Sequence, residues 1–171
     1  METVTAVDPG YEQSAMVVVD TQTACPQHHV IVDNEALLTI LRTTIMRTQS
    51  TLVLEQMESF GKAVGREVLE TVFITGRFAE AWYPRPVVRL PRRTVKMHLC
   101  HANHVSDAHI RQALIDRFGA TRDRAIGTKQ HPGPLYGIKH DEWAALALAV
   151  TFVERREAWY EPVASSPPVE F

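Results

Sequence analysis

Two apolar, β-branched runs open the chain, at 4–7 (VTAV) and 15–19 (AMVVV), and only DPGYEQS lies between them. Pro9 and Gly10 cannot continue a strand, and seven residues are too few for a crossover. The spacing therefore predicts an antiparallel hairpin over 3–8 and 14–20. HHVIVD (28–33) predicts a third strand. Asn34 is placed to cap the helical pattern EALLTILRTTIMRTQ, whose apolar residues fall at Leu37, Leu38, Leu41 and Ile45. TLVLEQM (51–57) then reads as a central strand buried on both faces. A strand reached through a helix joins its sheet in parallel, so the sheet is mixed. Within this frame Asp8 is unusual. A carboxylate at the tip of a buried strand is costly unless something uses it. It is either a hairpin turn residue or a placed carboxylate.

The remaining pattern is helical over 62–82, with Val64, Val68, Val72 and Phe73 near one face, and it stops at WYPRP. A short strand follows at 87–90, and Pro91 begins the next element. Residues 106–118 read as a helix with Ser106 at its N-cap and Gly119 just past its end. Residues 120–138 read as a loop. Residues 141–158 form a strong helical pattern, with acids in the first turn and arginines near the end, as the helix dipole favours. The expected architecture is α/β, a mixed five-stranded sheet flanked by helices. Residues 1–160 make one domain, and 161–171 (PVASSPPVEF and its preceding Glu161) a flexible tail.

A chain of 171 residues can bury a core without staples. Cys25 and Cys100 are its only cysteines, so no disulfide framework is implied and a reducing compartment is expected. Glu2 and the lack of a basic region argue against a signal peptide. No window approaches ~18 consecutive apolar residues, so no membrane partner is expected. The net charge of −2 is uninformative, but its distribution is not. Residues 1–58 carry two basic residues and eight acids, whereas 85–129 carry ten basic residues against Asp107, Asp116 and Asp123. A basic middle suits a polyanion. A solvated, salt-bridged surface accounts for it equally well.

Asp8 ends the first strand, Glu55 lies near the end of the buried strand, and Asp141 opens the last helix. If the first and fourth strands are parallel neighbours, their carboxylates share one sheet edge, where sites form in such sheets. Clustered carboxylates repel unless cations separate them, and hard divalent ions take oxygen shells of this kind. Each acid taken singly also suits a cap or a turn.

VDPG, LEQM, the stretch VVRLPRRTVKMHLCHANHVSDAHIRQALIDRFG and GTKQHPGPLYGIKHDEWAALALAVT together resemble the RuvC family of Holliday-junction resolvases, particularly its bacteriophage members. The resemblance runs from about Val4 to Thr151. It implies an RNase H-like fold and a homodimer that cuts four-way or other branched DNA with Mg²⁺ or Mn²⁺, two ions per site, in the cytoplasm of a bacterial host. It implies Asp8, Glu55 and Asp141 as metal ligands. His140, where it lies beside the attacking water, is our expected proton acceptor. Lys96 matches a basic residue of the family, and Arg92 and Arg93 join it as expected DNA-backbone contacts. Phe60, Lys62 and Arg66 follow the catalytic strand, where the family inserts side chains at the crossover. Two departures stand out. Ala144 occupies the place of a second acid on the last helix, which leaves His140, Glu142, Asp107 and Glu58 as candidates for a fourth ligand. Asp107 itself stands where the family has a basic residue.

Other classes fit less well. His98, Cys100, His101 and His104 could hold zinc, but no second paired cluster lies at finger spacing. An actin- or sugar-kinase-type fold needs glycine-rich phosphate loops and a second domain, and this chain has neither. A junction-binding protein without cleavage is the alternative that Ala144 leaves open.

Overall fold

The computed structural model describes residues 2–43, 50–59, 61 and 63–155. Among these residues are five strands: β1 (Thr3–Asp8), β2 (Gln13–Asp20), β3 (Pro26–Asp33), β4 (Ser50–Gln56) and β5 (Val87–Pro91). They form one sheet in the order β3-β2-β1-β4-β5. β1 pairs antiparallel with β2, and β2 with β3, while β1–β4 and β4–β5 are parallel. This is the mixed sheet expected from the sequence. The helices are α1 (Asn34–Thr43), α2 (Arg66–Trp82), α3 (Arg92–Cys100), α4 (Asp107–Gly119), α5 (Arg122–Ala125) and α6 (Glu142–Glu154).

Strand side chains alternate between faces, and the two faces carry separate cores. Val4, Ala6 and Val53 pack with α6 and with residues of α3 and α4, including Leu99, Ile110 and Leu114. Val7, Leu52 and Leu54 pack on the other face with Leu37, Leu38 and Leu41 of α1 and Ile74, Phe78 and Trp82 of α2. The run WAALALAVTF in α6 has no polar stripe because neighbours enclose the helix. Nearly all of it is buried, between the sheet and the α3–α4 layer.

Several expectations change in detail. Asp33, not Asn34, caps α1, its carboxylate accepting the Ala36 N–H at 2.9 Å. In α2 the buried face is Thr71, Ile74, Thr75, Phe78, Ala81 and Trp82. The apolar set read from the sequence points outward: Val64 and Val72 are exposed, and so is Phe73, at 65%. The helix α3 had no strong signal, since its buried residues Val95 and Leu99 make only one helical pair. α5 interrupts the expected 120–138 loop. Ala120, rather than Gly119, takes the left-handed position after α4 (φ 59°). Gly119 is glycine for space, since a Cβ there would sit 2.4 Å from the Ala125 nitrogen. The second half of the 35–49 pattern, the end of the 141–158 helix and the 161–171 tail lie outside the described residues. Among the described residues no helix is long and apolar enough to cross a membrane.

Asn34 is freed from capping to tie the β1–β2 turn. It is buried, and its Nδ2 donates to the carbonyls of Gly10 (3.0 Å) and Tyr11 (3.1 Å). Its Oδ1 accepts from the Ser14 hydroxyl at 2.6 Å, and Ser14 Oγ in turn accepts the Gly10 N–H at 3.2 Å. Gly10 allows the turn this tightness, because a Cβ would meet the Gln13 carbonyl at 2.3 Å. The strand end that carries Asp8 is thus held from the side. Asn34→Ala takes the donor from the part-buried Gly10 and Tyr11 carbonyls and the acceptor from the buried Ser14 hydroxyl, and the expected loss is about 1–3 kcal/mol, read as a fall in the urea unfolding midpoint.

Candidate active site

Val7 of β1 is paired with Leu54 of β4, so Asp8 and Glu55 are the next residues along two adjacent parallel strands. Strand alternation turns both toward the face covered by α6. The chain enters α6 through His140, in the left-handed region (φ 45°), and Asp141 at the N-cap. The Asp141 side chain makes no capping bond, which leaves its carboxylate to face the sheet edge. A cavity of about 100 Å³ results, lined by Asp8, Glu55, Asp141, His140, Arg92 and Asp107 over an apolar floor that includes Ala147 and Leu148. Trp143 forms part of the wall, and the Arg111 guanidinium lies 4.7 Å from its ring centre.

Arg92 is the cation of this cavity. It opens α3, and one guanidinium nitrogen donates to Glu55 Oε2 at 3.3 Å while another donates to Asp107 Oδ1 at 2.5 Å. Burial opposes its charge, but Glu55, Asp107 and Asp8 outweigh that and hold its pKa above the usual arginine value. Asp8 fares differently. Burial first, then the Glu55 charge and a hydrogen bond shared with Glu55, push it from 3.8 up to about 8, with Arg92 pulling the other way. One arginine does not neutralise the cluster, so Asp8 carries a proton at neutral pH in this state. Among the described residues no three His, Cys, Asp or Glu side chains converge closely enough to hold a metal ion as they stand. The donor chemistry is nonetheless that of a hard-cation site, with all the acidic donors oxygen.

The remaining expected residues divide clearly. Arg93 and Lys96 line an adjoining groove of about 480 Å³ with Glu55, Glu58 and His104, and Arg93 pairs with Glu58 at 3.3 Å. Arg92, also expected at the DNA backbone, lines the same groove and is engaged by two carboxylates. Arg66, at the start of α2, is highly exposed, lies apart from both cavities and faces Glu70 at 3.9 Å. Phe60 and Lys62 lie outside the described residues. Glu142, a fourth-ligand candidate, turns away. It is 1% exposed, accepts the Lys139 N–H at 2.9 Å and meets His29 Nδ1 at 2.9 Å. Glu58 is taken by Arg93. His140 and Asp107 remain in the cavity. His98 pairs with Glu154 at 2.6 Å across the α3–α6 contact, and His101 takes the left-handed position that ends α3.

Sequence reasoning missed the two supports of the site, the Ser14–Asn34 tie and the His29–Glu142 pair. The second joins residues 113 positions apart, for which no local signal exists.

The parallel β1–β4 pair, the antiparallel β1–β2–β3 hairpins and the helix over the carboxylate edge define the RNase H-like fold. Two solved structures with that fold are RuvC from Thermus thermophilus. The free protein superposes with a TM-score of 0.64 at 16% identity, covering 92% of this chain and 96% of that one. RuvC in complex with a Holliday junction substrate superposes with a TM-score of 0.68 at 17% identity, covering 92% and 97%. The sequence matches no family model and no curated protein.

The elevated Asp8 pKa has a consequence for stability. Below about pH 4 both folded and unfolded states hold the proton, and between there and about pH 8 only the folded state does. The Asp8 contribution to stability therefore falls as pH rises through that window, then levels off. Asp8→Asn removes the penalty. Without metal, the variant is expected to melt above the parent at pH 8, by on the order of 1–3 kcal/mol, with the gap closing toward pH 4. Thermal melts across that range measure it.

Proposed function

We propose that this chain is a divalent-metal-dependent endonuclease that hydrolyses phosphodiester bonds of branched DNA, four-way junctions above all. The observation that carries it is the gathering of Asp8, Glu55 and Asp141 at the carboxyl edge of the sheet, in a fold shared with RuvC, one of whose structures holds a Holliday junction. Asp8, Glu55 and Asp141 would hold the ions, Mg²⁺ or Mn²⁺, two per site. When bound, they lower the pKa of an attacking water and balance charge on the departing 3′ oxygen. The elevated Asp8 pKa means that this residue gives up a proton as it becomes a ligand. His140, at the cavity mouth beside Asp141, accepts the proton of the attacking water. Trp143 and the apolar floor limit solvent around the cluster.

Arg93 and Lys96 line the groove that leads from Glu55, and they meet the phosphate backbone there. Phe60, Lys62 and Arg66 follow β4 in the sequence, and we assign them to contact with the crossover. A junction has two equivalent strands to cut, which a two-fold dimer matches with two sites. The outward face of α2, with Leu69, Val72 and Phe73 exposed, is the surface we assign to a second copy. Such a protein acts in the cytoplasm of a bacterial cell, where the DNA is. Residues 1–160 form the nuclease domain, followed by the 161–171 tail.

One observation favours a second reading. The acids do not converge on an ion as they stand, and Ala144 contributes none, as in a junction-binding protein without cleavage. A labelled four-way junction, a flap and a linear duplex incubated in parallel with Mg²⁺ decide between them. Paired symmetric nicks on the junction are expected, and binding with no cleavage of any substrate would establish the second reading. Asp8→Asn is expected to lower cleavage by at least about 10³-fold while junction binding persists in gel shifts. Phe73→Glu is expected to convert the dimer to a monomer in sedimentation equilibrium.

A further inference from the structure

Arg92 and Asp107 stand in an arrangement that the three-carboxylate site does not explain. The Arg92 guanidinium spans Glu55, whose side chain is 10% exposed, and Asp107, whose side chain is 78% exposed. Asp107 is the first residue of α4, and Ser106 holds that helix start through its capping box with His109. The carboxylate is thus presented to the cavity from a fixed backbone, while its exposure leaves the side chain free to turn. Across the cavity, Ala144 lies one turn along α6 from Asp141 and offers only a methyl group. The acids drawn from β1, β4 and α6 number three, and a pair of divalent ions carries four positive charges. Asp107 is the one other carboxylate lining this cavity, and it brings the balance to four.

Resting on the nuclease reading, we propose that Asp107 is the fourth metal-binding carboxylate of the site, in the place Ala144 leaves open, and that Arg92 is a resident counter-ion which the metal displaces from Glu55 and Asp107. In the metal-free protein Arg92 limits the repulsion among the acids. A divalent ion and a guanidinium cannot share the same carboxylate oxygens, so loading frees Arg92. It opens α3 beside Arg93 and Lys96, at the rim of the phosphate groove, and once freed it turns to the DNA backbone. The exchange also explains why, among the described residues, no ion-sized set of ligands exists while Arg92 is in place.

Calorimetric titration of Mn²⁺ into the full chain without DNA tests this independently of cleavage. The parent is expected to bind Mn²⁺ and Asp8→Asn to lose binding. If the parent binds none, the nuclease reading fails and this inference with it. Arg92→Gln is expected to tighten binding several-fold, since the competing cation is gone. The decisive comparison is Arg92→Gln against Arg92→Gln/Asp107→Asn. Affinity about tenfold weaker in the double variant than in Arg92→Gln marks Asp107 as a ligand, whereas equal affinity shows that Asp107 only anchors the arginine and overturns the proposal. Adding Ala144→Asp to Asp107→Asn should restore affinity if the two positions serve one place, and failure of that restoration in a variant with parental melting behaviour also counts against it. Parental far-ultraviolet circular dichroism and melting of Asp107→Asn without metal, expected because the side chain is 78% exposed, separate lost metal affinity from lost structure.

Discussion

Parallel pairing of β1 with β4 sets Asp8 beside Glu55 on the buried face of the sheet. Two carboxylates so close, in a place where water is scarce, cannot both ionise cheaply. The surrounding structure manages that cost. Arg92 is drawn in from α3, Asp8 keeps a proton, and the turn after Asp8 is tied by Asn34 and Ser14 so that the acid cannot swing out to solvent. Under the proposed function, the Arg92 contacts and the Asp8 proton would give way to a stronger cation, while the turn tie would stay. The charge conflict would then be the source of the site's affinity for divalent ions.

The third carboxylate depends on a different piece of engineering. α6 is apolar on every side, so its position is fixed by burial between the sheet and the α3–α4 layer. Its N-terminus is fixed by polar contacts. Glu142, the residue after Asp141, is buried and held by His29 of the sheet's outer strand and by the Lys139 N–H. Gly137 lets the approaching chain pass close to the His29 ring, since a Cβ there would stand 3.3 Å from Nε2, and its φ of 89° suits glycine alone. The edge strand β3, remote from the acids in sequence, thereby sets where Asp141 stands. Of the two consecutive acids 141 and 142, one braces the helix and the other faces the cavity, and only the packing distinguishes them.

Much of this was legible in the sequence. The strands follow from β-branched runs with short turns, the buried β4 from its unbroken apolar run, and the α4 start from Ser106. The carboxylates at 8, 55 and 141 were legible because each ends or begins an element, and chain order brings those ends to one edge. Where the sequence misled, a local pattern served a different neighbour. Val64, Val68, Val72 and Phe73 make an apolar set at helical spacing, yet Val64, Val72 and Phe73 are exposed, and Phe78 and Trp82 of α2 face the sheet. Hydrophobic periodicity reports that a face is apolar, not what covers it. Asn34 looked like a cap, but the adjacent Asp33 takes that role and releases it to a buried tie.

The sequence by itself determined the sheet's order of construction and the three acids, because strand propensity, turn chemistry and element length are local properties. Tertiary structure alone decided what those acids face. Arg92 reads as one more cation in a basic segment and is in fact the counter-ion of the cluster. Asp107 reads as a helix-start acid and lies in the cavity, and Glu142 reads as Asp141's twin and lies outside it. The physical reason is common to all three. A charged group's role is set by the field and the burial around it, and both come from residues tens of positions away that only folding brings near.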